Sequence, residues 1–218
     1  RRSSDLICRI RMEQSQISEK NMETRKSSPD KKEIRKKHLA IRNAMSEPET
    51  AEKSRAICEK LLTSDWYAIT DWIFGYYPLG KEADCLEFLK KALSDGRHVA
   101  LPRTGADCTM EFYEITSLEQ TAEGAFHVME PTAECRRINP MDLSNTQITV
   151  LVPGVVFTPI GSRYGYGKGF YDRYFARYAK LNRFALAYEN QLEPELEVLD
   201  TDIKMHRIYT ETGEYDII

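Results

Sequence analysis

No stretch of this chain stays apolar for the roughly 18–20 residues that a membrane span requires. The apolar segment "LICRI" near the start is too short for a signal-peptide core. Cysteine is scarce: Cys8, Cys58, Cys85, Cys108 and Cys135 are odd in number, widely spaced, and include no CxxC pair for a metal or redox motif. Reduced thiols in a cytoplasm are the simplest account. His38, His98, His127 and His206 have no ligand-like spacing, which argues against a zinc site. There is no internal repeat and no low-complexity segment. Glycine is sparse too, with 11 residues in 218, yet four of them fall within nine positions.

Charge is modest overall and unevenly spread. The formal balance is −3, made of +6 over residues 1–37 and −9 over the rest. Acids are interspersed among the early cations and no aromatics accompany them. An acidic body argues against nucleic acid as the main partner. Residues 1–27 show no period and no packing face, so they read as a flexible tail or upstream extension, with Met22 the expected natural start. Residues 28–218 read as one domain. A chain of this size buries roughly 70% of its extended surface and needs no disulfide or metal staple.

Order is expected from "SPDKKEIRKKHLAIRNAM". Ser28 suits a cap and Pro29 the first helical position. Ile34, His38, Ile41 and Met45 then recur at helical spacing. Ser46 and Glu49 predict a capping box opening a second helix that ends near Leu62. "WIFGYYP" reads as a buried strand ended by Pro78. Asp84 and Glu87 predict the start of a third helix, with Gly96 its terminator. "RHVALP", "TMEFYEI", "ITVLVP" and "RFALAY" read as strands, with the last near "RIYT". Alternating strands and helices predict an α/β fold: a three-layer sandwich-like single domain, with a mostly parallel central sheet and helices on both faces.

The glycine cluster lies in "PGVVFTPIGSRYGYGKGFYDRYFARY", which reads as strand, loop, helix. Ligands in such folds bind beyond the carboxyl ends of the strands. A helix start there offers free N–H groups and partial positive charge, which suits phosphate. Arg163 and Lys168 add cations, and Asp172 falls where it can hold a Mg²⁺ bridging phosphates. Familiar motifs fail. A Walker loop needs glycine at Ser162 and a hydroxyl at Gly169; GxGxxG from Gly165 fails at Phe170; GxSxG is absent. The residues alone leave open a plain tight loop, and an Asp172 that only complements the helix dipole. Phe170, Tyr174 and Tyr178 form a stripe that reads as core.

The same stretch, "PGVVF…GSRYGYGKGFYDRYF", resembles the signature of the 5-formyltetrahydrofolate cyclo-ligase (methenyltetrahydrofolate synthetase) family. Four further segments are similar to that family in order: "KKEIRKKHLAIRNAMS", "FGYYPLGKEAD", "EPTAE" and "LDTDIKMHRIYTE". The likeness covers about residues 31 to 212. It implies conversion of 5-formyltetrahydrofolate to 5,10-methenyltetrahydrofolate, with ATP as co-substrate, Mg²⁺ as cofactor, and ADP and phosphate released. The implied route is phosphorylation of the formyl oxygen to an imidate phosphate, followed by attack of N10. A non-catalytic folate- or nucleotide-binding regulatory module on the same fold is the alternative. No obligate protein partner is evident.

The resemblance also implies roles. Lys31 and Arg35 reach the ATP phosphates. Arg163, Tyr164, Gly165, Tyr166, Gly167, Lys168, Gly169, Phe170 and Tyr171 wrap the triphosphate, with Arg163 and Lys168 catalytic. Asp172 and Asp202 hold Mg²⁺, Asp202 being the one eight residues before Thr210. Glu82 binds the pterin and Tyr77 lines the folate site, with Tyr76 as the other counterpart for that position. Tyr166, Gly167, Lys168, Gly169 and Phe170 meet both ligands. Two departures stand out. His206 replaces the family's usual Asp, and Tyr166 stands where some members have Arg, so the loop carries one cation fewer.

Overall fold

The computed structural model describes residues 30–217, apart from 106–107, 125–126 and 144–145. The expected tail and the Ser28–Pro29 start lie outside these residues. The chain divides into two units, Arg1–Ile34 and Arg35–Ile218. The first helix, α1 (Lys31–Ala44), begins in the first unit and continues in the second.

Two helices follow α1, α2 (Glu47–Thr63) and α3 (Asp65–Ile69), then strand β1 (Trp72–Phe74) and helix α4 (Leu86–Ser94). Next come β2 (His98–Thr104), β3 (Met110–Ile115), β4 (Thr121–Glu123), β5 (Met129–Pro131) and β6 (Arg137–Ile138). The remaining elements are β7 (Ile148–Val152), β8 (Val156–Phe157), β9 (Arg163–Tyr164), α5 (Phe170–Arg177), β10 (Asn182–Leu186), β11 (Arg207–Tyr209) and β12 (Glu214–Asp216).

Eight strands form one sheet in the order β12-β11-β10-β7-β1-β2-β3-β6. The central pairings, β11 through β2, are parallel. Those at both edges are antiparallel. The expected mostly parallel centre is therefore present, with antiparallel margins. β7 is buried at all five positions, as a strand covered on both faces must be. Its alternate residues serve opposite layers. Leu151, with Ile73 of β1, packs against α2, α3 and α4 through Ile57, Leu61, Trp66 and Phe88. Val150 and Val152, with Phe74, pack against α5 through Tyr174 and Phe175. Helices thus cover both faces.

Several local expectations need correction. Ile41 is exposed, and the buried face of α1 runs through His38, Arg42 and Met45 instead. Ser46 does accept from Glu49 N, at 3.3 Å. The strand in "WIFGYYP" stops at Phe74, four residues before Pro78, and Gly75 N makes a last bond to the β2 carbonyl of Ala100 at 2.8 Å. α3 was not foreseen, so the expected third helix is α4. Asp84 Oδ1 accepts from Leu86 N at its start, whereas Glu87 pairs with Lys90 on the surface. β12 follows the segment expected to be last. The stripe of α5 does face the core, with Tyr174 buried and Phe170 and Tyr178 partly so.

Phe88 is fully buried, 6.1 Å from the Trp66 ring and 5.4 Å from that of Tyr67. Phe88→Ala removes its transfer energy and leaves a cavity. The expected cost is about 3–5 kcal/mol, read by urea unfolding.

Candidate active site

The glycine loop follows β7 and Glu82 follows β1, both beyond the carboxyl ends of neighbouring parallel strands. β7 runs into Pro153 and Gly154, and the chain then folds back as the β8–β9 hairpin, pairing Val156 with Tyr164 and Phe157 with Arg163. Gly161 closes that hairpin at φ +87°, and any Cβ there would lie 2.7 Å from the Met205 carbonyl oxygen. The tight turn places Arg163 at the strand ends.

Arg163 is nearly enclosed. Its guanidinium donates to the Pro153 carbonyl and to Asp172 Oδ2, each at 3.3 Å, and lies 5.5 Å over the Tyr171 ring. Its Nε has no partner among the described residues. Arg35 reaches the loop from α1: Nε donates to the Gly165 carbonyl at 2.8 Å, and its guanidinium sits 5.2 Å over Tyr164. Lys31 lies in the other unit. Lys168 is exposed on the loop, and Arg173 holds its carbonyl while also donating to Cys108 O at 2.9 Å. Gly169, at φ +65°, opens α5 without a capping side chain. The first-turn N–H groups of α5 therefore begin directly after Lys168 and Gly169.

Asp172 uses both oxygens. Besides Arg163, it accepts from Ile203 N at 3.1 Å. This ties α5 to the segment carrying Asp202, which is half-buried, while Asp200 is exposed. Asp202 Oδ2 accepts from Leu199 N at 2.8 Å. Burial, with Glu197 and Asp202 nearby, holds the Tyr164 hydroxyl above its usual range. Among the described residues no group of three or more His, Cys, Asp and Glu is arranged for a metal ion. His206 turns to Arg183, whose Nη2 meets its Nε2. Burial and that cation hold the ring below the ordinary histidine range.

The other end of the site is built around Glu82, only 6% exposed. Its Oε2 accepts from Leu79 N at 2.9 Å. Burial pushes the carboxyl up to about 7, against the opposing pull of that N–H, Arg42, Arg163 and Tyr166. Tyr76 is buried, with its hydroxyl on the Ala83 carbonyl at 2.5 Å, while Tyr77 is only half-buried. Of the two, Tyr77 is the side chain left for a ligand. Arg42 was missed in the sequence. It is 2% exposed, donating to the Gly154 carbonyl at 3.0 Å and to the Tyr166 hydroxyl at 2.5 Å. Nothing in the chain marks it, since an arginine on a basic helix reads as solvated.

The hairpin, the glycine loop and Glu82 thus converge where an α/β sheet binds ligands. The family model of 5-formyltetrahydrofolate cyclo-ligases matches residues 27–211. The chain belongs to the 5-formyltetrahydrofolate cyclo-ligase family. A probable 5-formyltetrahydrofolate cyclo-ligase of Caenorhabditis elegans is 25% identical over 196 residues, covering 83% of this chain and 92% of the relative. The mouse 5-formyltetrahydrofolate cyclo-ligase is 24% identical over 177 residues, covering 77% and 87%. The solved structure of Aquifex aeolicus 5,10-methenyltetrahydrofolate synthetase is 30% identical, with TM-score 0.75, covering 85% of this chain and 92% of that one. As a cyclo-ligase family member, the chain is a ligase of the folate class. No described helix is long and apolar enough to cross a membrane.

Proposed function

We propose that the chain converts 5-formyltetrahydrofolate to 5,10-methenyltetrahydrofolate with release of ADP and phosphate from ATP. The observation that carries this is the joining of a cationic glycine loop and a buried carboxylate, Glu82, in a chain of this family. A formamide oxygen is a poor leaving group. In the proposed sequence that oxygen attacks the γ-phosphorus and ADP departs. N10 then attacks the formyl carbon of the imidate phosphate and loses its proton. The C–O bond breaks, phosphate leaves, and the methenyl bridge remains. Such transfer needs positioning and charge neutralisation rather than a protein nucleophile.

Arg163 and Lys168 supply the charge at the transferring group. Lys31, Arg35 and the backbone and side chains from Tyr164 to Tyr171 hold the triphosphate. Glu82 accepts from the donor-rich pterin ring, Tyr77 lines the ring site, and Tyr166, Gly167, Lys168, Gly169 and Phe170 lie between the two ligands. Asp172 and Asp202 suit Mg²⁺, a metal commonly held by one or two carboxylates plus substrate phosphates, so a small donor set fits it. Bound there, the metal would neutralise phosphate charge. Asp172 is also paired with Arg163, at 3.3 Å. Residues 28–218 form the proposed catalytic domain, working in the cytoplasm as a small-molecule enzyme.

The test follows absorbance of the methenyl product with ATP, Mg²⁺ and 5-formyltetrahydrofolate, beside an ADP assay. Expected are equal yields of product and ADP, and loss of both on chelation by EDTA. Tight folate binding with no ADP would overturn this reading in favour of a regulatory binding module.

A further inference from the structure

A guanidinium inside a protein is costly unless acceptors surround it. Arg42 is among the largest fully buried side chains. It donates to two neutral oxygens, the Gly154 carbonyl and the Tyr166 hydroxyl, and its Nε has no partner among the described residues. Gln191 shares the Gly154 carbonyl, at 3.0 Å. A residue needed only to knit α1 to that carbonyl need not be charged. What the charge touches is therefore informative. Tyr166 is 45% exposed and stands between two loop glycines, Gly165 and Gly167. Its hydroxyl oxygen accepts from Arg42, so its one proton is left to donate. Buried Glu82 is among the charges that act on that hydroxyl.

We propose that Arg42 is a positioning residue for the folate end of the site, holding the Tyr166 hydroxyl against Glu82 so that Glu82 meets the substrate ring as a charged acceptor. This rests on the reading of Glu82 as the pterin-binding group. α1 grips the glycine loop at two points, Arg35 on the Gly165 carbonyl and Arg42 on the Tyr166 hydroxyl, two helical turns apart. The groups around Glu82 are Arg42 from α1, Arg163 from β9, Tyr166 from the loop, Tyr171 from α5, and Tyr76 and the Leu79 N–H from its own segment. Two of these are cations. Removing one shifts the balance toward burial, and the carboxyl then takes up a proton at higher pH.

The experiment measures KM for 5-formyltetrahydrofolate, KM for ATP and kcat from pH 6 to 9 in the full chain. Arg42→Met is expected to raise folate KM about tenfold at neutral pH and to move the acid limb of that KM up by about one pH unit. The ATP KM stays near normal. Arg42→Lys keeps a charge and is expected to return the limb toward its original place. Tyr166→Phe removes only the hydroxyl, serves if Arg42→Met fails to fold, and is expected to move the same limb. A purely structural Arg42 predicts something else: both KM values and kcat worsen together, thermal stability falls, and the limb does not move. That pattern, or no change, overturns the proposal. Glu82→Gln separates the two levels. If it leaves folate KM unaltered, the reading of Glu82 fails; if it raises KM while Arg42→Met and Tyr166→Phe leave the limb in place, only the role of Arg42 fails.

Discussion

Lys168→Ala is expected to lower turnover by about 10²–10³-fold while the fold stays intact. The side chain is exposed on the loop, so truncating it leaves no cavity and no orphaned buried group. Its proposed contact is with charge that develops on the transferring phosphoryl group. Such a contact is made in the transition state and barely in the ground state, so kcat and kcat/KM should fall together and ATP KM should hardly move. Steady-state rates at the methenyl band, beside far-UV circular dichroism, give both halves of the result. Near-normal rates remove the role. A rise in ATP KM alone would leave Lys168 its binding role and remove the catalytic one.

Glu82→Gln should separate stability from activity. The carboxyl is raised from 4.5 to about 7 in the folded chain, chiefly by burial. The sign follows from linkage. A group whose folded pKa is raised favours folding fully below its unfolded value, and that contribution is lost as pH climbs through the folded one. Charged Glu82 therefore weakens the unliganded protein progressively between about pH 4.5 and 7. A shift of this size is on the order of 3 kcal/mol. Glutamine carries no such term, so the variant should match the wild type near pH 4.5 and exceed it at pH 7.5, with urea midpoints as the readout. Its affinity for folate should drop about 10–100-fold, since a hydrogen bond to a charged acceptor is lost. A variant less stable at pH 7.5, or one binding folate normally, would contradict this account.

The centre of the architecture is legible in the chain because a strand covered on both faces reads as an apolar run. "ITVLVP" reads as such a strand, and β7 is central in the sheet. The antiparallel margins are harder, since β2 and β3 each read as a plain strand whatever their direction. The five-residue link from Thr104 to Met110 is short enough only for a hairpin, and its length is the signal that residue patterns do not weigh. At the site, the glycine loop is readable because four glycines, two cations and a carboxylate crowd one segment. Arg42 is not, because a two-letter reading of α1 puts Ile41 inward and arginine outward, and the structure does the reverse. Asp202 is a different case: Asp172 meets its segment through the backbone N–H of Ile203, and a main-chain donor has no letter in the sequence.

The strand order has a consequence for how the chain is made. β1 finds β2 early, but its other neighbour, β7, begins only at Ile148. At about 5–20 residues per second, roughly 75 further residues take roughly 4–15 s to emerge. For that interval three wholly apolar residues, Trp72 to Phe74, offer one row of unpaired backbone groups, the template on which foreign strands nucleate aggregates. β7 is thus the strand that covers this edge, before β10, β11 and β12 extend the sheet beyond it. Until it arrives, the segments bearing Glu82 and Arg163 have no common floor.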